Sequence, residues 1–359
     1  MRIGVIIPSL LRGGAERVIA ILCNEFVEKG DKVFLLLTED SQRICYGLDK
    51  GVEIVDITSK KSRFSGKMLD YIKNIKKIIK KEKIQIVISF ITRTNICAIL
   101  ACRQVGVPVI VSERNNPYIV PHSFKLRKIR NLIYRFSNGL VFQTTYAKNY
   151  FAKSIAKKSR IIMNPMASMA NMQIPFSKKR DIIVTACRLA PQKNVPLLIE
   201  AYSKIYKKIP NFKLEIYGEG PERENIEKLI KDKHLSEYVI LKGQSDNVIE
   251  KLAEAKIFVL SSDFEGLSNA LMEALCVGAA CIATDSPTYG NRDLIENGKN
   301  GFLVPIQNSD LLAEKIITLA QNESMMKSFS ENARRLYQKV NSKVIVKEWD
   351  QYIENILSM

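Results

Sequence analysis

Two glutamates lie within a segment in which an apolar run gives way to a turn and then to a helical pattern. Residues 257–260 are apolar, residues 261–266 are typical of a turn, and residues 268–276 have helical spacing. Glu265 precedes this helix and Glu273 lies eight residues further on. The unpaired N–H groups at the start of a helix after a parallel strand suit a phosphate. The stretch therefore predicts a strand–turn–helix–strand unit with an anion site at its turn.

The spacing of these glutamates argues against a glycosidase-type carboxylate pair. Residues eight apart on one straight helix are about 12 Å apart, whereas the two carboxylates of a glycosidase are roughly 5 to 9.5 Å apart. We therefore expect Glu265 and Glu273 to contact different parts of one long ligand. The spacing alone is equally compatible with residues that bind no ligand: Glu265 as an ordinary acidic turn residue and Glu273 as a solvated helix residue.

Two cations, Arg188 and Lys193, follow a predicted strand at residues 181–186. They are five residues apart across a turn that contains Pro191. Their side chains can converge on one anion only if the loop bends back. Two independent solvated charges are the alternative.

The elements that position these residues alternate between strands and helices, twice over. Strands are predicted near residues 3–8, 32–37, 84–90 and 108–111, and again near 181–186, 213–217, 239–241 and 257–260. A chain of 359 residues is too long for one α/β core. The pattern indicates an α/β fold with two domains and a linker within residues 168–179, which have no periodicity.

Composition excludes several other classes of protein. The apolar run at residues 3–8 is broken by Pro8 and is too short to span a membrane. The seven cysteines form no CxxC pair, which favours reduced thiols in a cytoplasmic protein. With only His122 and His234, neither a histidine-built metal site nor a nucleophile–histidine–acid set is expected.

The net charge of +18 lies entirely in the first half of the chain. Residues 1–170 have 30 Lys and Arg against 12 Asp and Glu, whereas residues 171–359 have 25 of each. Two basic helices are predicted, at 67–83 and 124–136. They indicate docking on an anionic membrane surface, and the alternative for the first is a surface helix packed on the sheet. No helix-turn-helix, zinc or aromatic RNP pattern supports nucleic acid as the partner.

Five motifs in order resemble the retaining glycosyltransferases of family 4. They are GGAERV at 13–18, NP at 164–165, RLAPQKN at 188–194, GEGP at 218–221 and the double-glutamate stretch at 261–285. The resemblance covers nearly the whole chain and implies a GT-B fold, in which two Rossmann-like domains with parallel sheets face each other across a cleft. We place the acceptor-side domain at residues 1–165 and the nucleotide-sugar domain at 166–344. Helix 345–359 is expected to pack back on the first domain.

The resemblance also implies which residues bind the donor. Glu265 would contact the transferred sugar, Glu273 the ribose, and Arg188 and Lys193 the diphosphate, so that Glu265, Arg188 and Lys193 are the expected catalytic residues. Fixed cations would stabilise the charge of the departing nucleoside diphosphate. The full set of expected donor-binding residues is Gly14, Arg188, Lys193, Gly218, Gly243, Glu265, Gly266, Leu267, Ser268, Asn269 and Glu273.

On the acceptor side, the family often has a histidine that meets the sugar after the strand at 108–111. Here Arg114 occupies the position of that histidine, and an arginine can instead bind an acceptor phosphate. The expected acceptor-binding residues are Arg12, Gly13, Arg93, Arg114 and Asn115. Arg93 belongs to a stretch, residues 92–95, that is predicted as a polar loop. Neither a bound divalent metal nor a cofactor is expected, because the nucleotide sugar is a substrate.

The function implied is transfer, with retention, of a hexose or N-acetylhexosamine from a UDP-linked donor. The acceptor expected is a polyprenyl-diphosphate-linked glycan or another anionic lipid, used in polysaccharide or glycan biosynthesis. The protein is then cytoplasmic and peripheral on the inner face of the cell membrane. The alternatives are a nucleotide-sugar-binding or membrane-surface protein without transferase activity, and a sugar-nucleotide epimerase or hydrolase.

Overall fold

The computed structural model describes residues 1–11, 13–61, 64–169, 172, 174–288 and 290–359. The chain forms two compact units, one of Met1–Ala167 with Val340–Met359 and one of Ser168–Lys339. The sequence places these boundaries after residues 165 and 344. Residues 170, 171 and 173 of the predicted linker lie outside the described residues.

The first unit contains a seven-stranded parallel sheet in the order β3-β2-β1-β4-β5-β6-β7. In register, Val5 of the first strand in the sequence, an interior strand of the sheet, lies between Leu35 and Ile88. The strands are nearly continuous apolar runs because helices cover both faces of a parallel sheet. The elements are β1 (Arg2–Leu10), α1 (Gly14–Glu28), β2 (Lys32–Ile44), β3 (Val52–Asp56), α2 (Phe64–Glu82), β4 (Ile86–Phe90), α3 (Thr92–Val105), β5 (Val109–Glu113), α4 (Phe124–Ile133), β6 (Gly139–Phe142), α5 (Thr145–Asn149), α6 (Lys153–Lys157) and β7 (Ser159–Ile161).

The second unit contains a six-stranded parallel sheet in the order β10-β9-β8-β11-β12-β13. Its elements are β8 (Arg180–Ala186), α7 (Val195–Ser203), β9 (Lys213–Tyr217), α8 (Arg223–Asp232), β10 (Val239–Gly243), α9 (Val248–Glu254), β11 (Ala255–Leu260), α10 (Asn269–Cys276), β12 (Ala280–Asp285), β13 (Gly301–Pro305), α11 (Ser309–Ala320) and α12 (Glu323–Arg334), with α13 (Leu336–Val340) at the boundary. Two parallel sheets with helices confirm the predicted α/β class.

The last helix, α14 (Ser342–Leu357), belongs to the first unit although it follows the second in sequence. Trp349 is fully buried and stacks on Phe90 with ring centroids 6.1 Å apart. The hydroxyl of Tyr352 accepts the N–H of Leu140 at 2.9 Å. A Cβ atom at Gly139 would lie 2.5 Å from the end of the Ile356 side chain and 2.5 Å from the Tyr352 hydroxyl, so the helix packs closely on β6 at this glycine. Helix α14 is therefore part of the core of the first unit.

The basic helix α2 uses its apolar stripe for packing. Tyr71, Ile75 and Ile79 are at most 3% exposed and join the core beneath the sheet. Lys77 and Lys80 are exposed on the opposite side. For residues 67–83, the alternative to membrane docking is a surface helix packed on the sheet. That alternative accounts for the buried apolar residues of α2.

The predicted polar loop at residues 92–95 is wrong, because these residues form the first turn of α3. The Thr94 hydroxyl donates to the carbonyl of Ile91 at 2.8 Å. The Asn95 amide donates to the Ser112 carbonyl at 2.9 Å and to the Tyr134 hydroxyl at 2.8 Å. Buried side chains that find such partners favour a helix start over a solvated loop.

Candidate functional site

The candidate site of the second unit lies at the carboxyl ends of β8 and β11. These two strands are neighbours, and the chain runs outward from them in opposite directions, to β9 and β10 on one side and to β12 and β13 on the other. Ligands of open α/β sheets bind at such a topological switch point. The loop with Arg188 and Lys193 follows β8, and the turn with Glu265 follows β11.

A side-chain and backbone network joins these two loops. The Asp263 N–H donates to the Gln192 carbonyl at 2.9 Å, and the Gln192 amide donates to the Phe264 carbonyl at 2.8 Å. Asn194 has a left-handed backbone (φ 43°), caps α7 by accepting from Leu197 N–H, and donates to Asp263 at 2.9 Å. The loop thus bends back, as the convergence of its cations requires.

Lys193 and Glu265 form an ion pair at the centre of this network. The Lys193 ammonium donates to Glu265 Oε1 at 2.5 Å, and the Ser262 hydroxyl donates to the same oxygen at 2.6 Å. The Glu265 N–H donates to the Thr288 hydroxyl at 3.3 Å. The Glu265 side chain is 7% exposed, whereas that of Lys193 is 21% exposed. A nearly buried carboxylate is therefore held in one orientation beside a cation that solvent can reach.

Helix α10 begins directly after this turn. The Ser268 hydroxyl caps it by accepting the Leu271 N–H at 3.4 Å. Leu267 is buried, Asn269 is the first residue of the helix, and Glu273 is 3% exposed in its second turn. A Cβ atom at Gly290 would lie 1.6 Å from the Gly266 carbonyl oxygen, so the segment after β12 presses against the turn.

Two glycines after β9 let a third loop approach the β8 loop. The φ of Gly218 is 132°, and a Cβ atom there would lie 1.8 Å from the Cys187 carbonyl oxygen. At Gly220 a Cβ atom would lie 2.2 Å from the Leu189 carbonyl oxygen. The Gly218 N–H donates to the Gly243 carbonyl at 2.8 Å. Gly218 and Gly243 therefore lie at the same edge of the sheet as Arg188, which is exposed.

In the first unit, the predicted glycine pair starts α1. Gly13 is the N-cap and Gly14 the first helical residue. The Tyr46 hydroxyl accepts the Gly13 N–H at 2.9 Å and donates to the Gly13 carbonyl at 2.8 Å. Burial raises the pKa of Tyr46, so this hydroxyl stays protonated. Arg12 lies outside the described residues.

Arg114 follows β5 and is half-buried. Its guanidinium donates to Asn164 Oδ1 at 2.6 Å and lies over the Phe90 ring at 4.3 Å from the centroid. Burial lowers the pKa of Arg114 to about 9. Its Nε and Nη2 are buried without a hydrogen-bond partner among the described residues. Arg114 thus retains two N–H groups that an anionic ligand can accept from.

The other two predicted acceptor residues of the first unit differ in their surroundings. Arg93 pairs with Glu39 at 3.2 Å and lies over the Tyr71 ring. Asn115, next to Arg114, is exposed. Arg114 and Asn115 follow β5 together, and Arg93 belongs to the first turn of α3 after β4.

Sequence reasoning missed several residues that hold the site. Asn194 and Thr288 position the Lys193 loop and Glu265, Tyr46 fixes Gly13, and Asn164 fixes Arg114. Asn164 and Asn194 lie within two of the family motifs, so membership of a motif is the sequence feature that could have identified them. Nothing local in the sequence distinguishes Tyr46 or Thr288 from other surface-compatible polar residues.

Two further observations concern what the chain can bind. Within the described ranges, no three or more His, Cys, Asp or Glu side chains come together in a group that would bind a metal ion. Over the same ranges, no helix has the length and apolar character needed to cross a lipid bilayer.

Comparison with known proteins gives two consecutive family matches. The model described as Glycosyltransferase Family 4 matches residues 12–166. The model described as Glycosyl transferases group 1 matches residues 170–336. Their junction falls within a few residues of the boundary between the two units.

Among similar proteins, a Campylobacter jejuni enzyme is 27% identical over 365 aligned residues, covering 99% of each chain. It is named GalNAc-alpha-(1->4)-GalNAc-alpha-(1->3)-diNAcBac-PP-undecaprenol alpha-1,4-N-acetyl-D-galactosaminyltransferase. The poly(glycerol-phosphate) alpha-glucosyltransferase of Bacillus subtilis is 34% identical over 180 residues, which are 50% of this chain and 26% of that protein. The crystal structure of Anabaena Alr3699/HepE in complex with UDP superposes with a TM-score of 0.83 at 16% identity, covering 99% of this chain and all of the other.

Proposed function

This chain belongs to the glycosyltransferases of group 1 and family 4, and we propose that it transfers a hexose or N-acetylhexosamine with retention. The proposed donor is a UDP-linked sugar, and the proposed acceptor is a polyprenyl-diphosphate-linked glycan or another anionic lipid. The Campylobacter relative acts on an undecaprenol-linked glycan by its name, and the Anabaena structure contains UDP. Both support the proposal.

The observation that favours a donor site in the second unit is the Lys193–Glu265 pair at the switch point of its sheet. Glu265 is oriented by Ser262 and by its own N–H bond to Thr288. A carboxylate held in this way can orient a sugar hydroxyl, while the adjacent ammonium can meet a phosphate. We assign Glu265 to the transferred sugar and Lys193 to the diphosphate.

The remaining contacts with the sugar nucleotide are assigned to residues at the same edge of the sheet. Exposed Arg188 would supply a second cation for the diphosphate, and the backbone N–H groups near Leu267, Ser268 and Asn269 would supply donors at the start of α10. Glu273, one helical turn further, is assigned to the ribose. Preorganised donors aimed at the leaving group stabilise the charge that develops there, typically about 10²–10³-fold in rate for one donor.

For the acceptor we propose the first unit, with Arg114 as the phosphate contact. Its Nε and Nη2, which have no hydrogen-bond partner in the described part of the chain, and its contacts with Asn164 and Phe90 support this role. Arg93 is a weaker candidate, because Glu39 already balances its charge.

Transfer is proposed to need no divalent metal, since Arg188 and Lys193 supply the positive charge at the leaving group. Adding EDTA to the purified enzyme should then leave the rate of transfer unchanged. A loss of rate that Mg²⁺ or Mn²⁺ restores would contradict this part of the proposal. We also propose that the protein acts in the cytoplasm, at the inner face of the cell membrane.

The first experiment is a thermal-shift screen of the purified protein with UDP-, GDP-, ADP- and dTDP-sugars. A ligand that binds only the folded protein raises its stability by mass action, by about 2.7 kcal/mol at one hundred times Kd. We expect a shift with the UDP series that is lost in Lys193→Ala and kept in Lys207→Ala, an exposed lysine of the same unit. Each variant is compared with its own ligand-free midpoint, because Lys193→Ala leaves Glu265 unpaired.

Product analysis separates the alternatives. Sugar transfer that requires an added lipid-linked glycan supports the proposal, and anomeric analysis of the product by NMR tests retention. Release or interconversion of the sugar without an acceptor would instead identify a hydrolase or epimerase. A thermal shift without any turnover on a panel of acceptors would favour a binding protein.

A further inference from the structure

Helix α4 buries a charged residue and exposes apolar ones, which is the reverse of the usual arrangement in a surface helix. Its fully buried side chain is that of Arg130, whereas Phe124, Ile129 and Leu132 are 61%, 46% and 56% exposed. In α2, by contrast, Tyr71, Ile75 and Ile79 face the core and Lys77 and Lys80 are exposed, although Leu69 near the start of the helix is 65% exposed. The composition of the two helices is similar, but α2 buries three residues of its apolar stripe, whereas α4 leaves Phe124, Ile129 and Leu132 exposed.

These residues belong to a longer exposed apolar row, which we call the α4 row. It consists of Tyr118, Ile119, Phe124, Leu126, Ile129, Leu132 and Phe136, each between 40% and 61% exposed. Contiguous exposed apolar surface of this kind marks an interaction site more often than scattered single residues do.

The outward orientation of α4 is fixed by Arg130. Its guanidinium donates to the Val120 carbonyl at 2.6 Å and to the Pro117 carbonyl at 3.0 Å, and it lies 3.8 Å from Glu113. Rotating the helix to bury Phe124 and Ile129 would withdraw Arg130 from these partners and leave Glu113 buried without its cation. Such a loss is strongly unfavourable, so the apolar row is a stable feature of the fold.

The part of the chain that contains the row is rich in positive charge. Between Glu113 and Asp181 the sequence has fourteen Lys and Arg and no Asp or Glu. Lys125 and Lys128 are exposed on the helix itself. Lys128 lies over the Phe124 ring at 4.7 Å, and Arg103 lies over the Phe136 ring at 4.2 Å. Long cationic side chains next to apolar ones suit an interface between hydrocarbon and anionic headgroups.

We propose that the α4 row is a docking surface for a bilayer of anionic phospholipids. The apolar side chains enter the headgroup region, and Lys125, Lys128 and Arg103 contact lipid phosphates. A second copy of the chain is a poorer match, because two surfaces of the same positive sign repel each other. This inference deepens the proposed function and rests on it in one respect. The loop with Arg114 and Asn115 immediately precedes the row, so docking would bring a lipid-linked acceptor to that loop.

The test is flotation of the full-length protein with vesicles of phosphatidylcholine and phosphatidylglycerol, compared with vesicles of phosphatidylcholine alone. We expect binding to the anionic vesicles and little binding to the neutral ones. The combined variant Phe124→Ser, Ile129→Ser and Leu132→Ser should bind at least about tenfold more weakly, because three exposed apolar side chains no longer enter the bilayer. Its melting temperature should match that of the wild type, since these side chains are exposed.

A matched charge comparison separates α4 from general electrostatic attraction. Lys125→Gln with Lys128→Gln should weaken vesicle binding more than Lys77→Gln with Lys80→Gln on α2, although both variants lose the same charge. Equal losses would show that net charge alone binds the vesicles and would overturn the assignment to α4. Unchanged binding by the triple serine variant would overturn it as well.

Two other outcomes are distinguishable. If light scattering shows a dimer that the triple serine variant dissociates, and vesicles are not bound, the α4 row is a self-association surface and the proposal fails. The donor thermal shift does not involve the row and should persist in the triple variant. Vesicle binding without any donor shift would leave the docking surface in place while removing the proposed function.

Discussion

At the scale of single residues, Lys193 and Glu265 balance each other in the ligand-free protein. Their ion pair at 2.5 Å places the Lys193 ammonium directly against a nearly buried carboxylate. A donor that brings a diphosphate to Lys193 and a sugar to Glu265 would replace one ion pair by two sets of contacts. Under the proposed function, the pair is therefore a preorganised arrangement rather than only a structural salt bridge.

Replacing Glu265 with Gln tests this separation of roles. The amide keeps the shape and a hydrogen bond to Lys193 but loses the charge. We expect the rate of transfer to fall by about 10²–10³, with the UDP-induced thermal shift retained. Glu273→Gln should instead reduce the UDP-induced thermal shift and have less effect on the rate of transfer at saturating donor. Equal losses of binding and rate in Glu265→Gln would argue against contact with the sugar.

A second residue-scale feature is the buried amine of Lys179, which is 5% exposed. It donates to the carbonyls of Ala253, Ala255 and Val277, the last two at 3.4 and 3.3 Å. Burial lowers the pKa of Lys179 to about 7. At higher pH the unfolded chain therefore binds a proton that the folded chain has released.

Stability of the second unit should consequently rise with pH from about 7 to about 9. The slope from one such group is at most about 1.4 kcal/mol per pH unit. Below pH 7 the amine is protonated in both states, and this contribution is flat. Urea unfolding across the pH range measures the slope, which should disappear in Lys179→Met and persist in Lys178→Met at the exposed neighbouring position. A slope retained in Lys179→Met would assign it to another group.

At the scale of elements, the turn after β9 shapes the donor loop through backbone contact. Leu189 N–H donates to the Glu219 carbonyl at 2.9 Å, and Glu222 N–H donates to the Leu189 carbonyl at 3.0 Å. The segment from Gly218 to Gly220 thus sets the position of the loop that contains Arg188. The glycines are needed because two backbones touch, and the contact is with main-chain atoms that cannot move aside.

Gly220→Ala should therefore destabilise the protein by about 1–3 kcal/mol, the usual range for overpacking. It should also weaken donor binding, because the Leu189 backbone must shift. Gly47→Ala is the matched control, since a Cβ atom at Gly47 has no heavy atom within 4 Å. Chemical denaturation and the UDP thermal shift measure both effects. A Gly220→Ala protein as stable as Gly47→Ala would show that the contact relaxes freely.

At the scale of the whole molecule, the chain leaves the first unit after residue 167 and returns to it at residue 340. The return places Ile345, Trp349, Ile353 and Ile356 in the same core as the strands β1, β2 and β4. The first unit is thus incomplete until the last residues of the chain are in place, whereas the second unit is continuous in sequence.

Trp349→Ala should act on the first unit alone. Truncating a fully buried tryptophan typically removes about 3–5 kcal/mol of stability. Hydrogen exchange followed by mass spectrometry should show faster exchange in β1 and β4, with β8 and β11 unchanged. The donor thermal shift should survive, because the candidate donor residues lie in the other unit. Faster exchange in both sheets would instead show that the two units unfold together.

Much of this architecture was determined by local sequence. Apolar runs predicted the parallel strands, and motifs predicted the turns after β8, β9 and β11 along with their glycines, cations and glutamates. These features are local because strand periodicity, turn chemistry and helix capping depend on residues within a few positions of each other. The roles assigned to all of the predicted donor- and acceptor-binding residues remain predictions.

Only the tertiary structure decided which residues meet. Lys193 and Glu265 are 72 positions apart, and no local pattern pairs them. The polar stretch at 92–95 became a helix because Ser112 and Tyr134, on other elements, satisfy Asn95. The orientation of α4 was decided by partners from β5 and the following loop, which made burial of Arg130 more favourable than burial of Phe124. Sequence patterns indicate which residues favour burial, but the partners that permit it come from distant parts of the chain.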